Sequence, residues 1–469
     1  MCKSFSIIVT SDVHGELGRF LTVAEHIRQK KPDVLLDNGD FLQGGMTHMY
    51  DTLYNKRSTL IDIANELCYD ALIFGNHEFN ERPERLAKLR AQANFPWISC
   101  NLGDFAQPYI VKEVRGIRIL VLGVTTHFTP IWDEHGYARH IMFYEAATSV
   151  KKQLPSIIER ERPDFVIVSY HGGFERDPNG AWVFDDGSGE NEAEQLLQIE
   201  GIDLLITGHQ HMQLVGTKNG VTYIQPGAHS YAYGEILVQQ QQNGWIVKPK
   251  LQHITEEQPL PAHVEEWLNE PIATLPMSYT YDGLLDVMQH GHRYVDYVHA
   301  FQRAVTGADI SVTELFFHEQ GGLPQHVMRR DILAAYSREN ALVTLQMTGA
   351  SILAAIEQSA AVLAVNEAGN IDYAVNVYPN TLQPYQFDFF GGITYTCDVH
   401  QPVGHRITNV YVQQVPLQLE RTYTVAVNSF RALGNAPYTM YKDATELART
   451  TVYMPQLFEA YIREQARKD

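Results

Sequence analysis

Five apolar runs in the first half of the 469-residue chain each stop at side chains able to bind a metal. Ile7-Ile8-Val9 leads to Asp12-Val13-His14, and Val34-Leu35-Leu36 to Gly39-Asp40. Ala71-Leu72-Ile73-Phe74 leads to Gly75-Asn76-His77-Glu78-Phe79-Asn80. Phe165-Val166-Ile167-Val168 leads to His171, and Leu204-Leu205-Ile206 to Gly208-His209-Gln210-His211. Imidazole nitrogen and carboxylate oxygen together suit Zn²⁺, Mn²⁺ or Fe, with Mg²⁺ a further candidate. Two such ions about 3.5–4 Å apart, bridged by one carboxylate, activate a water and neutralise phosphoryl oxygens. A nearby acid then protonates the departing alkoxide. Any one of these blocks alone reads as an ordinary loop. Five in order, each ending an apolar run, read as a dinuclear site.

The elements that must position these residues follow from the same pattern. Short β-branched runs bounded by Gly or Asp read as buried strands. In open α/β sheets, ligands bind beyond the carboxyl ends of the strands. Between the runs, Leu17, Phe20, Leu21, Ala24 and Ile27 have helical spacing, as do Leu60, Ile63, Ala64 and Leu67. A charged helix is predicted over 81–93 and another over 193–199. This alternation implies right-handed βαβ units and a sheet covered by helices on both faces. Residues 117–124 read as a core strand, and 236–254 as a strand pair turning at Asn243-Gly244.

At 469 residues the chain exceeds one ordinary core, and two domains are expected. Residues 1–255 form the first. Residues 256–285, with Pro259, Pro261, Pro271 and Pro276, read as a surface linker. A second domain over 286–469 starts with a helix over 286–305 and has its own alternation, including a strand over 342–347 and a helix from Ser351. The formal charge of −19 argues against binding a nucleic-acid polymer, although bound cations still admit an anionic substrate. No run of about 18 apolar residues suggests a membrane span, and the start of the chain lacks the apolar segment of a secretory signal. The four cysteines are scattered, so reduced, mostly buried thiols and a cytoplasmic location are expected.

The ordered set Asp-x-His, Gly-Asp, Gly-Asn-His-Glu, His and Gly-His-x-His resembles the calcineurin-like metallophosphoesterases. That resemblance implies a four-layer α-β-β-α domain followed by a smaller α+β substrate-binding domain. It assigns Asp12, His14, Asp40 and His211 to one ion, and Asn76, His171 and His209, with Asp40 as bridge, to the other. His77 is then the unmetallated histidine facing the substrate phosphate, with Glu78 buttressing the loop. His127 and His229, in loops after strands, are open as to whether they approach the site. His26, His48 and His326 read as surface or core residues.

The second half narrows the family. Residues 342–349 with the following helix, 387–395, and Val425-Ala426-Val427-Asn428-Ser429-Phe430-Arg431-Ala432 look like the C-terminal domain of 5′-nucleotidases. That resemblance implies a nucleotide substrate whose base lies between two aromatic rings: Phe430 and one of Tyr385 or Phe387. Two positions depart from the family. Asn80 stands where many 5′-nucleotidases carry an Asp paired with the catalytic His. An amide can accept the imidazole N–H and fix the tautomer, but it does not stabilise an imidazolium as a carboxylate does. The Gly-Gly-Ile-Arg motif is Gly321-Gly322-Leu323-Pro324 here, leaving Arg329, Arg330, Arg338 or Arg431 as substitutes. Asn80 and residues 385–402 are also similar to the 2′,3′-cyclic-nucleotide phosphodiesterase/3′-nucleotidase branch.

The expected activity is metal-dependent hydrolysis of nucleotide phosphate esters, with a metal-bridging hydroxide attacking phosphorus and His77 and Asn80 assisting. The alternatives are a catalytically weak nucleotide-binding sensor and a phosphatase acting on other phosphoesters.

Overall fold

A computed structural model of the chain describes residues 3–176, 188–242, 244–317, 319–336, 340–374, 384–435 and 437–468. Cys2, Asn243 and Arg338 therefore lie outside the described residues. Two compact units are defined, Met1–Val264 and Glu265–Asp469.

The first unit is built on two six-stranded sheets. One contains β1 (Ser4–Thr10), β2 (Val34–Asp37), β3 (Ala71–Ile73), β4 (Trp97–Ile98), and the hairpin of β11 (Ala232–Gln241) and β12 (Gly244–His253). Its order is β12-β11-β1-β2-β3-β4, with β1 to β4 parallel. The other contains β5 (Tyr109–Val114), β6 (Ile117–Thr125), β7 (Phe165–His171), β8 (Leu204–Ile206), β9 (Gln213–Lys218) and β10 (Val221–Pro226). Its order is β5-β6-β7-β8-β10-β9, and its central strands are parallel.

Side-chain alternation along each strand decides how these sheets pack. Ile7, Val9, Val34 and Leu36 form one buried cluster with Ile119, Val121, Ile167 and Ile206. That cluster lies between the sheets. The opposite face of the first sheet, with Ile8 and Leu35, packs on α1 (Leu17–Lys30), α3 (Thr59–Leu67) and α4 (Pro83–Gln92). The opposite face of the second, with Leu120, Leu122, Val166 and Val168, packs on α6 (Ala146–Glu161) and α7 (Ala193–Leu196). The unit is thus a four-layer α-β-β-α structure. A single sheet with helices on both faces is not what forms, because each sheet is apolar on both faces and one of them is satisfied by the other sheet.

Several local expectations shift. α2 (Met46–Leu53) had no clear apolar signature, and its buried residues include His48 and Asp51. The β9–β10 hairpin turns at Asn219-Gly220, whose φ values of 53° and 82° suit a primed turn. The 256–285 segment is not a bare linker. Gln258 N–H donates to the Gly18 carbonyl at 2.9 Å in the first unit. Within the second unit Pro271–Thr274 pairs with His326–Met328, and Tyr281–Asp282 with Gln320–Gly321. Ile272, Leu275 and Tyr281 are buried there. Proline is tolerated because Pro271 opens its two-stranded ladder.

The second unit carries a five-stranded mixed sheet in the order Phe389–Gly391, Ile310–Thr313, Thr422–Asn428, Ala341–Thr348, Thr445–Tyr453. The helix expected over 286–305 is two helices, Leu284–His290 and Arg293–Thr306, broken where Gly291 takes a φ of 71°. These pack on one face of the sheet with Met454–Gln465, while Gly349–Ala360 covers the other. Cys68 and Cys397 are exposed free thiols and only Cys100 of the described cysteines is buried, so the thiols are not mostly buried. Among the described residues no helix is long and apolar enough to cross a membrane.

Candidate metal centre

The ends of β1, β2, β3, β7 and β8 bring all seven candidate ligands to one place. Asp12, His14 and His211 form one group able to hold a cation, and Asp40, His171 and His209 another; a third joins His14, Asp40 and His77. His14 Nε2 lies 3.0 Å from His211 Nε2, and His211 Nε2 lies 3.6 Å from Asp12 Oδ1. His171 Nε2 is 3.1 Å from Asp40 Oδ2 and 3.2 Å from Asn76 Oδ1, while His209 Nδ1 is 2.9 Å from the same amide oxygen. Asp40 Oδ2 is the hub, with His14 Nε2 at 3.9 Å and His77 Nε2 at 4.0 Å as well.

The donor set fits cations. His14 Nδ1 meets the Gln43 carbonyl at 3.0 Å and His171 Nδ1 the Asn38 carbonyl at 2.7 Å. A carbonyl only accepts, so both Nδ1 atoms carry hydrogen, and Nε2 is the atom each ring has left to ligate a bound cation. Nε2 of His171 faces the Asp40 carboxylate and the Asn76 amide oxygen, and Nε2 of His14 faces the His211 ring. Two donors about 2.0–2.2 Å from one ion are about 3 Å apart, the edge of a coordination polyhedron. The His14–His211, His171–Asp40, His171–Asn76 and His209–Asn76 distances, 2.9 to 3.2 Å, have that length.

Backbone strain marks the same residues. Asp12, His14, Asp40, His209, His211 and His229 all have φ between 50° and 68°. Such left-handed conformations in non-glycine residues cost about 1–2 kcal/mol each and cluster at functional sites. Close approach of the strand ends depends on glycine at two points. A Cβ on Gly75 would stand 2.2 Å from Asp40 Oδ1, and one on Gly208 would stand 2.4 Å from Ser11 Oγ.

Glu78 supports this geometry. It is buried and accepts the backbone N–H groups of Asp40 (2.9 Å), Phe41 (2.8 Å) and Gly75 (2.7 Å), tying the β2 loop to the β3 loop. His77 N–H donates to Asp40 Oδ1 at 2.8 Å, and His77 Nδ1 lies 2.6 Å from Asn80 Oδ1. Asn38, fully buried, donates to the Tyr170 carbonyl at 3.2 Å and accepts from Ser169 Oγ at 2.6 Å, joining the two sheets beneath the site.

Charges in this cluster perturb one another strongly. Burial pushes Asp12 up to about 6, with Asp40 adding to the rise. Burial and Asp40 push Glu78 to about 7 despite its three N–H donors. Burial would lower His171, yet the Asp40 carboxylate draws it up to about 10. Burial would raise Asp40, yet His171 and His77 hold it well below the carboxylate range. Burial and His211 depress His14.

Three residues outside the predicted set join it. The His229 ring lies 5.2 Å from His14 and 5.6 Å from His211, and the His229 backbone N–H donates to the Asp12 carbonyl at 2.8 Å. The Trp132 ring stacks on His209 at 5.0 Å, and Glu190 Oε1 lies 3.0 Å from His209 Nε2. No spacing rule pointed to Trp132 or Glu190. His127 instead pairs with Glu192 at 2.8 Å, and buried His48 with Glu81 at 2.5 Å.

In the second unit, Phe430 is 39% exposed on the short helix Ser429–Ala432, and Tyr385 is half-buried. Phe387 is 7% exposed in the core, its ring 4.8 Å from that of Phe389, so of the two alternatives Tyr385 is the more exposed. Of the four substitute arginines, Arg338 lies outside the described residues and the other three are paired with carboxylates. Arg329 pairs with Glu270 and Glu459, Arg330 with Glu265, and Arg431 is buried against Asp388. Arg431 also donates to the Tyr385 carbonyl at 2.7 Å, linking the two segments that carry Phe430 and Tyr385.

Residues 5–213 match the calcineurin-like phosphoesterase family, and residues 285–443 match the 5′-nucleotidase C-terminal domain. The chain therefore belongs to the calcineurin-like metallophosphoesterases, hydrolases of phosphoester bonds, in the group that carries a C-terminal 5′-nucleotidase domain. It is 24% identical over 516 residues to the trifunctional nucleotide phosphoesterase protein YfkN of Bacillus subtilis, covering 94% of this chain but only 32% of that protein. It is 23% identical over 532 residues to the 2′,3′-cyclic-nucleotide 2′-phosphodiesterase/3′-nucleotidase of Haemophilus influenzae, covering 92% of this chain and 80% of the relative. A solved structure from Staphylococcus aureus, assigned as a 5′-nucleotidase and in complex with α-ketoglutarate, has a TM-score of 0.89 at 27% identity, covering 98% of this chain and 96% of that one.

Proposed function

We propose that this chain hydrolyses nucleotide phosphate esters at a centre of two divalent cations. Asp12, His14, Asp40 and His211 hold the first, and Asp40, Asn76, His171 and His209 the second. The observation that carries this reading is the central position of Asp40 Oδ2, with His171 Nε2 at 3.1 Å and His14 Nε2 at 3.9 Å. Mixed imidazole and carboxylate donors suit Zn²⁺, Mn²⁺ or Fe, and Mg²⁺ less well. When bound, such ions supply a nucleophilic water at neutral pH and neutralise phosphoryl oxygens.

The chain's own residues do the rest. Asn80 holds His77 by its Nδ1–H, so the ring presents Nε2 on the Asp40 side, where it assists departure of the leaving oxygen. Glu78 keeps the loops bearing Asp40, Asn76 and His77 in register. Phe430 and Tyr385 stack on the base in the second unit. Similarity over most of the chain to a nucleotide phosphoesterase and to a cyclic-nucleotide phosphodiesterase/3′-nucleotidase supports the nucleotide substrate.

The test is initial rates of metal-reconstituted protein on 2′,3′-cyclic AMP, 3′-AMP and 5′-AMP, with Mn²⁺ and Zn²⁺ tried separately. Preference for the cyclic ester and 3′-AMP assigns the phosphodiesterase branch; preference for 5′-AMP assigns the nucleotidase branch. Hydrolysis of phosphopeptides without nucleotides refutes the reading. A second reading, a nucleotide sensor, is favoured by Asn80 and by the pairing of Arg329, Arg330 and Arg431. Turnover abolished by His77→Ala excludes it.

A further inference from the structure

We propose that Glu190 is the positioning residue for the second cation: it holds His209 in the one ring orientation and tautomer that can ligate. The inference rests on the dinuclear reading above.

His209 is held in a backbone conformation it would not choose alone, with φ at 68°. Three interactions over-determine it. Its N–H donates to both Asp12 carboxylate oxygens, at 3.0 and 3.1 Å. Its ring stacks on Trp132 with 29° between the planes. Its Nε2 meets Glu190 Oε1 at 3.0 Å. A carboxylate accepts, so the ring hydrogen sits on Nε2, leaving the Nδ1 lone pair towards Asn76 Oδ1 at 2.9 Å. Rotation of the ring by half a turn would put Cδ2 where Nδ1 stands and Cε1 where Nε2 stands. Glu190 would then lose its N–H donor and the cation site its nitrogen ligand.

The partner's chemistry separates His209 from its neighbours. His14 and His171 lean on the neutral carbonyls of Gln43 and Asn38 inside the core. Of these three, only His209 leans on a charged side chain, and it does so where the site opens, its own side chain 14% exposed and that of Glu190 30% exposed. A carboxylate behind a ligating imidazole fixes the ring, and its loss typically weakens metal binding about 10–100-fold.

Glu190 is itself fixed by the residues that follow it. Asn191 Oδ1 accepts the Gly173 N–H at 3.0 Å, and Ala193 N–H donates to the Gly173 carbonyl at 3.0 Å. Glu192 accepts the N–H groups of Ala146 and Ala147, both at 2.9 Å, at the start of α6. Gly173 lies two residues after His171. The segment carrying Glu190 is thus pinned to the strand end that supplies another ligand of the same ion.

The experiment is Mn²⁺ titration of metal-stripped full-length protein against a competing chelator dye, with bound metal counted and low-temperature EPR recorded. Wild type should take two ions and show the spin-coupled pair. Glu190→Ala should keep the first affinity and lose about 10–100-fold in the second, with a mononuclear signal at one equivalent and beyond. Glu190→Gln keeps an acceptor oxygen and should fall between the two. Thermal unfolding of the stripped proteins checks that the variants fold, and Glu190→Gln carries the comparison if Glu190→Ala does not. Unchanged second-site affinity in both variants overturns the inference while leaving the dinuclear reading intact, as does equal loss at both sites. A wild type that takes fewer than two ions overturns the reading on which it rests.

Discussion

His77 Nδ1 stands 2.6 Å from Asn80 Oδ1, on one 3-10 turn spanning His77–Asn80. The pairing is local, yet its consequence reaches the chemistry, because the ring's other nitrogen is 4.0 Å from Asp40 Oδ2. His77→Ala should lower kcat on the order of 10²–10⁴-fold while leaving metal content unchanged. Asn80→Ala should lower kcat by less, since the ring remains but loses its tautomer lock. Asn80→Asp should restore the lock. Steady-state kinetics on a nucleotide, with metal counted in each variant, decides this; loss of metal in His77→Ala would mean that His77 is a ligand.

Glu78 accepts three backbone N–H groups from two loops, and a carboxamide cannot replace it. In Glu78→Gln one end becomes a donor and confronts N–H groups that it cannot accept. Each buried donor left unpaired costs about 1–3 kcal/mol. The variant should show a lower melting temperature of the metal-stripped protein and weaker affinity for both ions. Calorimetry on stripped and reloaded protein measures both, and an unchanged melting temperature would assign Glu78 another role.

Much of this centre was legible because each ligand ends a short β-branched run, so strand and ligand could be read together. The packing of the two sheets was less legible. Ile7 and Ile8 are equally apolar, and nothing in the run says that one faces a sheet and the other a helix. Phe387 was ambiguous for a related reason: an aromatic residue in a strand-like segment serves a core and a ligand equally well until its burial is known. Glu190 was invisible because it reaches His209 through space, 19 residues away, with no periodicity to relate them. The prolines of 256–285 suggested a linker, whereas two-stranded ladders need so few residues that they leave little pattern.

Phe430 and Phe387 should separate binding from folding. Phe430→Ala removes an exposed ring and should raise KM for a nucleotide by an amount matching the loss of about 1–3 kcal/mol of base stacking. Activity on p-nitrophenyl phosphate, which has no base, should not change. Phe387→Ala removes a buried ring and should cost about 3–5 kcal/mol of stability in the second unit, with KM unaffected in the molecules that remain folded. Paired kinetics and urea unfolding of both variants test the contrast; a raised KM in Phe387→Ala without loss of stability would return that ring to the binding site.

His299 gives the second unit a pH dependence whose sign follows from its burial. The residue is 6% exposed, its Nδ1 lies 2.9 Å from Ser311 Oγ, and its Nε2 has no hydrogen-bond partner among the described residues. Burial, reinforced by Arg303, lowers it from 6.5 to about 3. Above pH 6.5 the ring is neutral in both folded and unfolded chains and the full stability is present. As pH falls from 6.5 towards 3, the unfolded chain binds a proton that the folded one does not, and stability is lost at about 1.4 kcal/mol per pH unit. His299→Asn keeps a polar group near Ser311 but cannot titrate. The difference in unfolding free energy between wild type and variant should therefore shift steadily against wild type between pH 6.5 and 4.5, and stay constant between pH 7 and 8. Urea unfolding at half-unit intervals measures it, and parallel curves throughout would mean that the ring is not held neutral in the folded protein.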